Sequence, residues 1–294
     1  MSQRDSDVLS RFVFERTNVR GELVHLDATW RAILERRDYP EPVRELLGQA
    51  MAAAALLITT IKFNGSLILQ IQGDGPVSLI VVQAKSDRTL RGLAHWTDPV
   101  LPGPLAQLVG TARLAITIDQ GGERERYQGI VALETEENLA RALEDYFARS
   151  EQLATRLWLA AGAERAAGML LQALPGETED ADAWNRTVQL ADTLSDQELL
   201  ELPQREVLRR LFHEEDVRVF EPEPVSFRCT CTRERIETVL RGLGYDEVQG
   251  IIAEQGRVSV DCEFCNQNYI FDPVDVEKLF AASEHQPNVP PTRH

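Results

Sequence analysis

All four cysteines of the chain fall in two close pairs: Cys229-Thr230-Cys231, then thirty residues, then Cys262-Glu263-Phe264-Cys265. Two such pairs separated by a foldable spacer suit a Zn²⁺ site. In an extended segment residues i and i+2 face the same way, so Cys229 and Cys231 can present two thiolates together. A Cys-x-x-Cys turn can converge two more, and four sulfurs at about 2.3 Å complete a closed tetrahedral shell. A closed shell has no open position for water or substrate, which argues against zinc hydrolase chemistry.

Two uses of such a site remain open on the residues alone. The first is a purely structural zinc, which the spacing by itself favours. The second is a redox switch. With zinc bound, Cys229 and Cys231 are tied to Cys262 and Cys265 across a long loop. If the thiols were instead to oxidise within each pair, the bonds would be local and the long-range cross-link would be lost. A small C-terminal module has a marginal core, and structural zinc supplies about 10–16 kcal/mol of folding free energy in such modules. A thioredoxin-like enzyme is disfavoured, because its Cys-x-x-Cys opens a helix after a strand, whereas Asn266-Gln267-Asn268-Tyr269 reads as a turn back into a strand.

Other chemistry finds no support. His213-Glu214-Glu215-Asp216 lacks the second histidine of HExxH, and His25, His95, His285 and His294 are scattered. Gly73-Asp74-Gly75-Pro76 is a turn, not a phosphate loop, and no GxxxxGK[ST] or GxGxxG opens a helix. Ser150 and the other serines have no nucleophile-elbow setting. The chain is therefore not expected to be an enzyme.

The elements that must position the cysteines divide the 294 residues into four parts, an α+β fold overall. Residues 1–175 read as a mixed α+β core: strands at 11–18 and 21–26, a helix capped by Asp27, and a long Ala- and Leu-rich helix over 43–60. Hairpins follow around Gly73-Asp74-Gly75-Pro76 and Gly121-Gly122, then a helix over 138–149 and strands at 156–160 and 168–174. Residues 176–228 read as an acidic linker of short helices. One is announced by the capping box Ser195-Asp196-Gln197-Glu198, another spans 204–213. Residues 229–282 form the cysteine module, with a helix starting at Asp272-Pro273, and 283–294 a Pro-rich disordered tail.

Charge follows the same division. The formal net charge is −16, with −3 in residues 1–175, −8 in 176–221 and −5 in 222–294. A chain this acidic is a poor nucleic-acid binder, so a zinc-dependent interaction or nucleic-acid module on an α+β scaffold is only the alternative reading. The apolar run over 50–61 is too short to span a bilayer, and the first residues show no apolar leader. A cytoplasmic protein without a membrane partner is expected.

Several stretches resemble the redox-regulated bacterial heat-shock holdase of 33 kDa, the 33-kDa chaperonin family. They include Val19-Arg20-Gly21-Glu22-Leu23, Gln72-Gly73-Asp74-Gly75-Pro76 and Glu125-Arg126-Tyr127-Gln128-Gly129, then residues 143–153, Gly168-Met169-Leu170-Leu171-Gln172, Phe212-His213-Glu214-Glu215 and residues 229–235. Tyr269-Ile270-Phe271 after the second cysteine pair also fits, whereas Asn266 stands where the family commonly has Gly. Asn also tolerates left-handed backbone. The resemblance implies a chaperone core, a metastable linker and a zinc switch. It further implies that Cys229, Cys231, Cys262 and Cys265 hold one Zn²⁺ per chain when reduced, and that they form the disulfides Cys229–Cys231 and Cys262–Cys265 under oxidative stress. Activation would then release zinc, unfold switch and linker, yield a homodimer, and let the protein hold unfolding clients without ATP. The apolar faces of the 184–212 helices are expected to cover an apolar surface of the core.

Overall fold

The computed structural model describes residues 6–60, 64–121, 126–133, 137–176 and 180–281. The expected turn at Gly121-Gly122, the start of the acidic linker and the Pro-rich tail lie wholly or partly outside them. The fold is α+β and divides into two units, Met1–Arg228 and Cys229–His294. No helix among the described residues is long and apolar enough to cross a membrane.

In the first unit, β1 (Val8–Phe14) and β2 (Val19–Leu26) lead through α1 (Ala28–Leu34) to α2 (Glu41–Leu57). Next come β3 (Ser66–Gly73), β4 (Val77–Lys85), β5 (Thr89–Trp96), α3 (Leu105–Val109), β6 (Ala112–Asp119) and β7 (Tyr127–Ala132). Helix α4 (Leu139–Tyr146), β8 (Thr155–Ala161) and β9 (Ala166–Ala173) complete this stretch. The second half of helix α2 is apolar on every side, with Ala50 through Leu57 all buried. Such a helix needs partners all round, and α2 lies between two sheets. β2, β8 and β9 flank it on one side, β3, β4 and β5 on the other. The approach is close enough that a Cβ on Gly48 of α2 would fall 2.4 Å from the Ala161 Cβ, and one on Gly92 of β5 would fall 2.7 Å from the Met51 sulfur.

Asp27 does not cap α1 with its own side chain. The Asp7 carboxylate does so from outside the helix, accepting from the N–H groups of Asp27, Ala28 and Thr29 at 3.2, 2.8 and 2.7 Å. Asp27 instead pairs with Arg165, whose guanidinium also donates to the Leu200 carbonyl at 2.6 Å. The helix expected over 138–149 is α-helical only to Tyr146. It widens into a π-helical turn over Phe147–Glu151, and Gln152 ends it with φ 55°.

Three short helices follow: α5 (Ala183–Ala191), α6 (Asp196–Glu201) and α7 (Gln204–Phe212). The capping box opens α6 with both halves formed: Ser195 accepts from the Glu198 N–H, and the Glu198 carboxylate accepts from the Ser195 N–H. The apolar side chains of these helices lie on the face of the first sheet opposite α2. Ala191, Leu199, Val207, Leu211 and Phe212 share one buried cluster with Phe12, Phe14, Leu23, Met169 and Leu171. Phe212 stands edge-on to Phe14 with centroids 4.9 Å apart. Polar ties reinforce the cover. Arg156 of β8 pairs with Asp192 at 2.8 Å, and the buried Gln204 amide donates to the Val8 carbonyl at 3.0 Å. The chain then returns to the sheets. β10 (Val217–Val219) and β11 (Glu223–Pro224) pair with β1, giving the order β10-β1-β2-β9-β8, while β12 (Ser226–Phe227) lies parallel to β5 and gives β12-β5-β4-β3-β6-β7.

The second unit contains α8 (Arg233–Leu243), α9 (Tyr245–Gln255), the hairpin β13 (Val258–Asp261) and β14 (Asn268–Phe271), and α10 (Pro273–Ala281). Its core is small: Leu240, Val248, Val258, Phe271, Val276 and Leu279 are its buried apolar side chains.

Candidate metal centre

Each cysteine pair is shaped by its local sequence. Thr232 caps α8 by accepting from the Arg235 N–H at 3.3 Å. The Arg235 guanidinium reaches back to the Thr230 carbonyl and hydroxyl, both at 2.8 Å, so the helix start fixes the residue between Cys229 and Cys231. The second pair occupies the tight connection between β13 and β14. The Cys262 carbonyl accepts from the N–H groups of Cys265 and Asn266 at 3.2 and 2.7 Å, and the Cys262 N–H donates to the Gln267 carbonyl at 3.0 Å. Closing that turn requires left-handed backbone at Asn266, whose φ is 57°. Asparagine accepts this conformation with little strain, so the departure from glycine leaves the turn intact.

These two pieces bring all four sulfurs together. The Cys229 and Cys262 Sγ atoms are 3.6 Å apart, those of Cys231 and Cys265 3.3 Å, and all four lie within 4.8 Å of one another. A tetrahedron with metal–sulfur bonds of about 2.3 Å has edges of about 3.8 Å, so the four thiols fit a single ion. Among the described residues they are the one group of three or more such donors close enough to share one. None of the four is in a disulfide, and all are partly buried.

The thiols differ in acidity. Burial pushes Cys229 up, but hydrogen bonds from the Cys231 N–H and the neighbouring thiols outweigh it and bring the pKa down to about 7. Burial holds Cys262 and Cys265 above the ordinary thiol value. Cys229 is thus more acidic than Cys262 and Cys265, and a cation replacing the thiol protons would favour the ionised form of the cluster.

Residues outside the cysteine motif complete the site. The Arg233 guanidinium lies 4.2 Å from the centre of the Phe271 ring, donates to the Ile270 carbonyl at 2.9 Å and pairs with Asp275 at 2.8 Å. It thereby joins α8 to β14 and α10. The Tyr269 hydroxyl donates to the Cys231 sulfur at 3.3 Å. That hydrogen bond, with burial second, pushes its pKa up to about 12. Tyr269 was legible only as a strand residue; the signal for its role is the period-two alternation that turns residues 269 and 271 of β14 toward the module interior. Among the described residues no histidine joins the cluster: His25 is buried in β2, His95 lies in β5 and His213 ends α7 beside Glu214, while His285 and His294 lie outside the described residues.

Comparison with known proteins agrees with this architecture. Residues 7–272 match the family model described as Hsp33 protein. The 33 kDa chaperonin of Nitrosococcus oceani is 54% identical over 294 residues, covering 100% of both chains, and that of Pseudomonas syringae pv. tomato is 46% identical over 285 residues, covering 94% of each. The crystal structure of the 33 kDa chaperonin from Thermotoga maritima superposes with a TM-score of 0.83 at 24% identity, over 95% of this chain and 100% of that one. The four-thiol centre and the sandwiched helix are thus set in a chain that belongs to the Hsp33 family.

Proposed function

We propose that this chain is a redox-regulated, ATP-independent holdase, a chaperone that binds unfolding proteins when its thiols are oxidised. The observation that carries the reading is the convergence of Cys229, Cys231, Cys262 and Cys265 from two distant segments to within 4.8 Å of one another. In the reduced state these four would hold one Zn²⁺, which supplies a cross-link between the two segments. Oxidation within each pair, Cys229 to Cys231 and Cys262 to Cys265, consumes all four donors and leaves two local loops in place of one long-range tie. The small core of the second unit then lacks its main support.

The reading assigns a matching role to residues 176–228 as a metastable linker and to 1–175 as the core it covers. Helices of six to nine residues do not stand alone in water, and a net charge of −8 over 176–221 opposes their compact state. Their release would bare Phe12, Phe14, Leu23, Met169 and Leu171. A contiguous apolar face of that kind binds exposed apolar segments of other chains. Activation would also favour a homodimer, and no nucleic acid is involved. Chaperonin names among the relatives, none of them an enzyme name, support a non-catalytic role.

Peroxide treatment of the full chain tests the reading. Thiol loss, metal release and suppression of aggregation of an unfolding client are measured on the same samples. All three should rise together and reverse with reductant. Retention of the metal under peroxide, or oxidised protein that fails to hold the client, would sink the proposal.

A further inference from the structure

The Tyr269 side chain reaches a cysteine sulfur from outside the cluster. Three of the thiols interact with backbone amides: Cys229 with the Cys231 N–H, Cys262 with those of Phe264 and Cys265, and Cys265 with that of Gln267. Cys231 receives instead the hydroxyl of Tyr269, at 3.3 Å. This bond also crosses between the two halves of the site, from β14 to the Cys229-Thr230-Cys231 segment. The Tyr269 ring packs against the buried core of the unit, so the hydroxyl is held in place by the rest of the side chain.

We propose that the Tyr269 hydroxyl is a brake on oxidation of the cluster, a positioning residue that lowers the reactivity of the Cys231 sulfur toward peroxides. The inference rests on the redox-switch reading and deepens it. In the step concerned a thiolate attacks one peroxide oxygen. The S–O bond forms, the O–O bond breaks and hydroxide leaves, so the sulfur is oxidised to a sulfenic acid and the peroxide reduced. A second thiolate then attacks that sulfur, forming the S–S bond and expelling a second hydroxide. The attacking sulfur uses the electron pair that a hydrogen bond engages. A donor held against it stabilises the thiolate more than the transition state, where that charge is moving to oxygen. Losing one such bond should speed the attack by about threefold to tenfold.

The test uses the full metal-loaded chain and its Tyr269→Phe variant, which keeps the ring and removes only the hydroxyl. Under excess hydrogen peroxide, thiol loss and metal release should be about threefold to tenfold faster in the variant, with early oxidation mapped by mass spectrometry to Cys231. With Co²⁺ in place of Zn²⁺, the sulfur-to-metal charge-transfer band should move to lower energy, because the sulfur becomes more electron-rich. Mere loosening of the fold would not shift that band. Replacement of Tyr269 by 3-fluorotyrosine, a stronger donor of nearly the same shape, should slow oxidation below the wild-type rate. Equal or slower oxidation of the Phe variant would overturn the proposal. Should that variant not fold, the fluorinated protein decides: slower supports, equal or faster overturns. If the wild-type chain itself keeps its thiols and metal, the redox reading fails first and this inference falls with it. Release by the wild type at the same rate as the Phe variant sinks this inference alone.

Discussion

The two units solve the problem of staying folded by different means. In the first, a helix whose second half is apolar all round is closed between two sheets, and the outer face of one sheet is covered again by α5–α7. Its stability comes from buried apolar area, which thiol oxidation does not change, since all four cysteines lie in the other unit. In the second, six buried apolar side chains form the core among the described residues, and Val239, Leu243 and Val274 stand 61%, 53% and 58% exposed. There the four thiols must supply what area does not. A chemical signal that acts on thiols can thus address one unit and spare the other. The three covering helices stand between these cases, because their cluster is apolar but their segments are short.

Removing the metal should break this contrast most visibly. Stripping the metal-loaded chain with a chelator should abolish protection from hydrogen exchange across α8–α10, a loss of about 10–16 kcal/mol at most. The α2 amides should keep their protection. Equal loss in both units would show that they do not draw on separate sources of stability. Next in size, Phe212→Ala should cost about 3–5 kcal/mol of cover stability by removing a buried ring from the cluster with Phe12 and Phe14. The variant should bind a dye for exposed apolar surface without oxidant and with all four thiols still reduced; silence of the dye would mean the cover is held mainly by its polar ties.

The smallest effect concerns pH. Glu22 of β2 is buried beneath the end of α2, and Thr59 Oγ1 donates to its carboxylate. Desolvation raises its pKa from 4.5 to about 7, the Thr59 bond and nearby arginines opposing it in part. The folded state therefore favours the neutral acid. That contribution is complete below the unfolded value and is lost as pH rises through about 7. Glu22→Gln is neutral at every pH, so its melting temperature should match the wild type near pH 4.5, exceed it progressively up to about pH 7 and then keep a constant lead. The lead corresponds to no more than about 3 kcal/mol. A difference independent of pH would place the cost of Glu22 in packing rather than charge, and so outside the burial argument for the first unit.

Much of this is legible in the sequence, where local chemistry decides. The hairpin turn at Gly73-Asp74-Gly75-Pro76, the Ser195 capping box, the Asp272-Pro273 helix start and the pairing of the cysteines are all short-range signals, and each is present in the structure. The expectation that the 184–212 helices cover an apolar surface of the core comes with the family resemblance, and their buried side chains share a cluster with Phe12, Phe14 and Leu23. What stayed hidden depends on distant partners. Strand β5 carries Gly92, which breaks the apolar pattern, yet Gly92 is there because Met51 leaves no room for a Cβ. Strands β11 and β12 are two residues long and exist only because β1 and β5 offer edges. Asp7 caps α1 across the chain in place of Asp27, and Tyr269 reads as one more aromatic strand residue until Cys231 is placed beside it.

The return of the chain through β10, β11 and β12 would have a consequence were that face bared. The segment 175–216 is stitched to the sheets at both ends, by the Leu174 N–H to the Asn18 carbonyl at one and by β10–β12 at the other. Once loosened, α5–α7 would remain a tethered ligand for the face they left, at an effective concentration on the order of millimolar. Any foreign chain on that face competes with an occupant that cannot diffuse away. Only segments offering a broad apolar contact would win that competition, and restoring the thiols would tip it back without a search through solution.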